Sequence, residues 1–127
     1  MEPKTLKELR IVLVDDSLLI QEYIKRALLG IKGCNLIGTA SDGDEALLLI
    51  RMRHPDVVLL DVTMPRKNGI EVLKELRLEN SKVIVIMFTA DATPGLKEKC
   101  LEEGANYFVV KSEFRQLPNI FAELQQD

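Results

Sequence analysis

Four apolar runs, none alternating with polar residues, each stop on a side chain suited to phosphate chemistry. Ile11-Val12-Leu13-Val14 runs into Asp15-Asp16, and Val57-Val58-Leu59-Leu60 into Asp61. The run from Val83 to Phe88 meets Thr89, and Phe108-Val109-Val110 meets Lys111. Uninterrupted apolar runs suit strands covered by helices on both faces. Helix-type stretches stand between them, and this alternation predicts βαβ units and a parallel sheet. Strands are expected over 10–14, 35–40, 57–60, 83–88 and 106–110. If the strands are parallel neighbours, the run ends meet at one sheet edge, where open α/β sheets bind ligands. Three carboxylates, a hydroxyl and an ammonium meeting there suit a divalent cation and a phosphoryl group.

The intervening stretches carry helix start and stop signals. Helix one follows Asp16-Ser17 and ends near Gly30. Helix two starts at Asp42-Gly43-Asp44-Glu45 and helix three at Asn68-Gly69-Ile70-Glu71, each a cap followed three residues later by Glu. Thr93-Pro94 predicts the start of helix four, a cap with proline in the first helical position, and Gly104 its stop. Leu117, Ile120, Phe121 and Leu124 form the i, i+3, i+4, i+7 core stripe of helix five. Residues 1–9 read as a lead-in with an extra helical turn, and residues 10–127 as one domain with no interior linker.

Composition narrows the function classes. The 127 residues, 46% of them hydrophobic, suit one globular domain. A net charge of −3 gives no basic footprint for direct nucleic-acid binding. The apolar runs are far short of a membrane span, no signal-peptide core follows Met1-Glu2-Pro3-Lys4, and a cytoplasmic location is expected. Cys34 and Cys100 form no C-x-x-C motif and read as reduced core thiols. His54, before Pro55, reads as a solvated helix end.

Like charges ~4 Å apart at an effective dielectric of 20 repel by about 4 kcal/mol. An Asp15-Asp16-Asp61 cluster therefore calls for a cation, and all-oxygen ligands favour Mg2+ or Mn2+ over Zn2+. Asp61 is a candidate nucleophile, as in aspartyl-phosphate chemistry, with Lys111 and Thr89 to meet phosphoryl oxygens. Each residue alone has a blander reading: a helix cap for Asp15-Asp16, a turn for Thr89, a solvated lysine for Lys111. After Asp61, Pro65 stiffens the loop, and Asn68-Gly69 suits a turn needing positive φ before the helix.

From about Arg10 to Leu124 the chain resembles the response-regulator receiver domains of two-component signalling. The carriers are Asp15-Asp16, Asp61 with Met64-Pro65 and Gly69, Thr89-Ala90, Gly104-Ala105 and Lys111, with Ser41 to Leu47 similar to the family's second-helix start. The resemblance implies a flavodoxin-like, doubly wound sheet of five parallel strands in order 2-1-3-4-5, with helices on both faces. It implies that Asp61 accepts a phosphoryl group from a sensor histidine kinase or phosphotransfer protein. Asp16 and Asp61 would bind Mg2+ directly with the Thr63 backbone carbonyl, and Asp15 mainly through water. Lys111, Thr89 and Ala90 would bind the phosphoryl group, with Thr89 and Phe108 as the switch pair. Thr63 and Asp91 would modulate the dephosphorylation rate. The face of helix four, strand five and helix five would then bind a downstream protein target, the chain being a monomer or a phosphorylation-promoted dimer.

Ser112 follows Lys111 where many family members have proline, leaving the geometry of that loop open. Spacing to Lys111 favours Phe108 over Tyr107 as the switch aromatic, with Tyr107 on the opposite face. Two other functions compete. A Mg2+-dependent aspartyl-phosphate phosphatase of the haloacid dehalogenase type needs a second Asp where Thr63 stands. A phosphorylation-independent interaction module would not need the intact acidic set. The chain is also similar to receivers cut from larger DNA-binding regulators.

Overall fold

Continuous apolar strands bury both faces, so helices must cover both, and they do. The computed structural model describes residues 6–126. The order is β1 (Leu9–Val14), α1 (Leu18–Leu29), β2 (Cys34–Ala40), α2 (Gly43–Arg53), β3 (Val57–Leu60) and α3 (Gly69–Leu78). Then come β4 (Ile84–Thr89), α4 (Leu96–Glu102), β5 (Tyr107–Val110), a 3-10 segment (Lys111–Gln116) and α5 (Leu117–Leu124). The five strands are all parallel, in order β2-β1-β3-β4-β5. Alternate strand residues feed two cores. Val12, Val14, Val58, Leu60, Val85 and Met87 pack with α2, α3 and Cys100 of α4. Ile11, Leu13, Leu59, Ile86 and Phe88 pack with α1 and α5, through Ile24, Leu117 and Phe121. The helix-five stripe is therefore core, as expected, and Cys34 and Cys100 are buried free thiols on opposite faces. Part of the lead-in, residues 1–5, lies outside the described residues; Leu6–Glu8 are irregular and Leu9 is already strand.

Helix starts follow their caps. Ser17 Oγ accepts from Ile20 N at 3.3 Å, and Asp42 Oδ1 from Glu45 N at 2.8 Å. Asn68 and Glu71 form a full reciprocal capping box. Helix four departs from expectation. It starts at Leu96 rather than Pro94, and Gly95, at φ 89°, ψ −14°, stands before it. Leu96 N donates to Thr93 O at 3.1 Å, so Thr93-Pro94-Gly95-Leu96 is a type II turn, with proline and glycine where that turn wants them. The stop at Gly104 holds: Gly104 N reaches Leu101 O, Ala105 N reaches Cys100 O, and Gly104 sits at φ 106°, a Schellman ending. His54 is an exposed left-handed cap of α2.

The loop after Asp61 also differs in detail. Positive φ falls on Arg66 (67°), not on Asn68 or Gly69. Lys67 N donates to Pro65 O at 2.9 Å, closing a tight γ-turn about Arg66. Gly69 is needed for contact instead: an added Cβ would lie 2.0 Å from the Asp61 backbone oxygen. Gly69→Ala should therefore cost at least about 2 kcal/mol in urea unfolding, by the overpacking it forces.

Candidate functional site

The register sets the site. Val14 of β1 pairs with Leu60 of β3, so Asp15 and Asp61 leave the sheet at one level. Asp61 N donates to Val14 O and Asp15 N to Ala40 O, both at 3.0 Å, which carries the sheet one residue beyond the strands. Thr89 ends β4 opposite Val110 of β5, and Lys111 follows directly.

Asp15 is 1% exposed. Its Oδ1 accepts from Ser17 N at 2.9 Å. Its Oδ2 pairs with Lys111 Nζ at 2.5 Å and has no other partner among the described residues. Lys111 Nζ donates to Asp61 Oδ2 at 3.1 Å, and Asp61 Oδ1 accepts from Thr63 N at 3.3 Å. Asp16 is exposed beside them, and Asp15, Asp16 and Asp61 offer oxygens within 4.8 Å of one another. Burial pushes the Asp15 carboxyl above its ordinary range, against the pull of Lys111 and the Ser17 amide. Burial alone would lower the Lys111 ammonium, but the adjoining Asp15 and Asp61 outweigh it and hold it above its ordinary value. One ammonium thus faces two buried carboxylates and exposed Asp16, which leaves the group short of positive charge. A hard divalent cation fits that deficit.

The remaining candidates sit around this centre. Thr89 is buried, and its Oγ1 accepts from Asp91 N at 3.2 Å rather than meeting the acidic group. Asp91 turns away: its Oδ1 accepts from Thr93 N at 2.9 Å and from the Thr93 hydroxyl. Those two bonds hold the Asp91 carboxyl below its ordinary value. Ala90 and Thr63 are exposed at the rim. Phe108 packs, half-buried, against the α2–α4 core and Tyr107 against the α1–α5 core, the expected opposite faces. The segment carrying Lys111 is a pair of 3-10 turns kinked at Glu113 (φ −107°, ψ 32°), with no cis peptide bond among the described residues.

Two features have no counterpart in the sequence reading. Gln21 Nε2 donates to Asp15 O at 2.6 Å and to Ser41 Oγ at 3.2 Å. An apolar hollow of about 390 Å³, lined by Leu19, Ile20, Tyr23, Phe88 and Phe114, opens beside Lys111. Its rim residue Leu19 is 80% exposed, and neighbouring Leu18 72%. Neither residue periodicity nor motif spacing marks these, because both arise where α1 meets other elements.

Residues 11–122 match the family described as response regulator receiver domain. The chain belongs to this family. It is 35% identical over 105 residues to the probable C4-dicarboxylate response regulator DctR of Bacillus subtilis (strain 168), covering 83% of this chain and 46% of that protein. It is 34% identical to the transcriptional regulatory protein MalR of the same organism, over 93% of this chain and 51% of that one. This receiver domain therefore spans about half the length of these curated relatives. Among solved structures, the signal receiver domain of the putative response regulator NarL from Mycobacterium tuberculosis superposes with a TM-score of 0.82 at 32% identity, covering 92% and 98% of the two chains. A chain of the CheX-CheY-BeF3-Mg+2 complex from Borrelia burgdorferi gives 0.81 at 30%, covering 91% and 90%. The receiver domain is the phosphorylation switch of two-component signalling, and neither the phosphatase nor the phosphorylation-independent reading is favoured beside this match. Receiver domains bind Mg2+ at an acidic pocket, and the Asp15, Asp16 and Asp61 group fits it. No helix among the described residues is long and apolar enough to cross a membrane.

Proposed function

We propose that Asp61 accepts a phosphoryl group from a sensor histidine kinase or phosphotransfer protein. The observation that carries this is the Asp61 carboxylate itself, buried, held by Lys111 Nζ and the Thr63 amide, and within reach of Asp15 and Asp16. An Asp61 oxygen attacks phosphorus in line; the new O–P bond forms as the P–N bond to the donor imidazole breaks, and the imidazole leaves with the electron pair. Asp15, Asp16, Asp61 and the Thr63 carbonyl would hold Mg2+, with Mn2+ as a substitute, which when bound screens the approaching anion. Lys111 exchanges its Asp15 and Asp61 contacts for phosphoryl oxygens. The Ala90 amide and the Thr89 hydroxyl also bind them, and Thr89 must leave Asp91 N to do so. That movement frees room for Phe108 to rotate inward and biases the α4–β5–α5 face toward a downstream protein target, in a monomer or a phosphorylation-promoted dimer. Thr63 and Asp91 flank the path of water and set the dephosphorylation rate. The domain is a phosphoacceptor rather than a metabolic enzyme, and it works in the cytoplasm. Exposed Leu18 and Leu19 open α1, Leu19 lining the hollow beside Lys111, and offer a donor apolar footing.

Incubation with Mg2+ and acetyl phosphate, read by intact mass, should add one phosphate; no adduct would contradict the proposal. Mg2+ should also stabilise the fold, by about 2.7 kcal/mol at a hundredfold excess over its Kd. Thermal unfolding with and without Mg2+ reads this, and Asp16→Asn should lose most of the gain.

A further inference from the structure

The two acidic residues after β1 are joined by one peptide plane, and a side chain from α1 grips that plane. Gln21 Nε2 donates to the Asp15 carbonyl oxygen at 2.6 Å. The Asp15 carbonyl and the Asp16 N–H belong to one rigid unit, so fixing the oxygen fixes the direction in which Asp16 departs. Asp15 has other restraints: its amide bonds to Ala40 O, and its carboxylate to Ser17 N. Asp16 is exposed, and among the described residues its side chain accepts no hydrogen bond. Its aim therefore depends on its backbone. Gln21 is itself held at a second point, since the same Nε2 donates to Ser41 Oγ at 3.2 Å, in the turn between β2 and α2. The side chain is half-buried, and the Asp15 carbonyl oxygen can only accept, which requires the amide nitrogen to face it.

We infer that Gln21 is a positioning residue for divalent-cation binding: by holding the Asp15–Asp16 peptide plane against the β2–α2 turn, it pre-sets Asp16 to meet a metal shared with Asp61. This rests on reading Asp15 and Asp16 as metal carboxylates. Without Gln21 the plane loses its hold on the carbonyl oxygen, and the metal must supply more of its order on binding, which weakens affinity.

The test is Mn2+ binding to the full chain, followed by electron paramagnetic resonance, for wild type, Gln21→Met and Asp16→Asn. Methionine keeps the length and apolar packing of glutamine and removes the donor. The Mn2+ dissociation constant of Gln21→Met should rise roughly three- to tenfold, the loss of one half-buried hydrogen bond. The Mg2+ concentration giving half-maximal phosphorylation by acetyl phosphate should rise by the same factor. The metal-free unfolding temperature should move by only a few degrees. An unchanged Mn2+ affinity in Gln21→Met overturns the inference, and so does a large drop in metal-free unfolding temperature with affinity intact. Wild type failing to bind Mn2+, or Asp16→Asn binding as tightly as wild type, overturns the underlying reading of the acidic pair.

Discussion

Asp61→Asn is expected to lose the phosphoryl adduct entirely. An amide nitrogen has its lone pair delocalised into the carbonyl, and the amide oxygen carries no formal charge, so neither replaces a carboxylate as nucleophile. Asparagine still presents an oxygen to Thr63 N, whose 3.3 Å bond the wild-type Oδ1 accepts. The variant should therefore fold, and the loss should be chemical. Intact mass after treatment with Mg2+ and acetyl phosphate reads it: one added phosphate in wild type and none in the variant. An adduct of equal amount in Asp61→Asn would move the acceptor elsewhere.

Removing Lys111 should have the largest effect on stability. Lys111→Met leaves Asp15, 1% exposed, facing Asp61 with no cation between them. Breaking a buried ion pair from one side costs about 3 kcal/mol, because a charge is left without compensation. Urea unfolding at neutral pH in a chelator measures it. The loss should shrink as pH falls. Burial already raises the Asp15 carboxyl in the folded state, so the fold binds its proton more tightly than the unfolded chain does. Such a group penalises the fold fully above its folded value, and the penalty fades as pH drops through that value. Mg2+ should restore much of the loss, taking the place of the ammonium. Asp15→Asn should act with the opposite sign in the same chelator: it keeps an oxygen for Ser17 N and removes one buried charge, so metal-free stability at neutral pH should rise.

The sheet was legible because its signal is local and strong. Val57–Leu60 is strand as expected from an apolar run buried on both faces, while β1, β2 and β5 shift by a residue at their starts and β4 by a residue at both ends. The meeting of Asp15, Asp61 and Lys111 followed from parallel topology alone, since every run reaches the same edge. Helix four shows how two local rules conflict. Thr-Pro reads as a helix start, but Pro-Gly reads as a type II turn, and glycine at φ 89° let the turn win. Gly69 looks from the sequence like a positive-φ glycine, but its need is nearness to the Asp61 carbonyl, a contact between the end of β3 and the start of α3 that no spacing reveals. Gln21 was invisible for the same reason: its partners Asp15 and Ser41 meet it only once α1 packs on the sheet.

The central claim is that the Asp61 carboxylate is the atom group that receives phosphorus. Its most direct test is to trap the acyl phosphate. After Mg2+ and acetyl phosphate, borohydride reduces an aspartyl phosphate to homoserine, and peptide mass mapping locates the change. Homoserine at position 61 alone is the predicted result. Homoserine at Asp15 or Asp16, or none in a protein that carries phosphate, would contradict it.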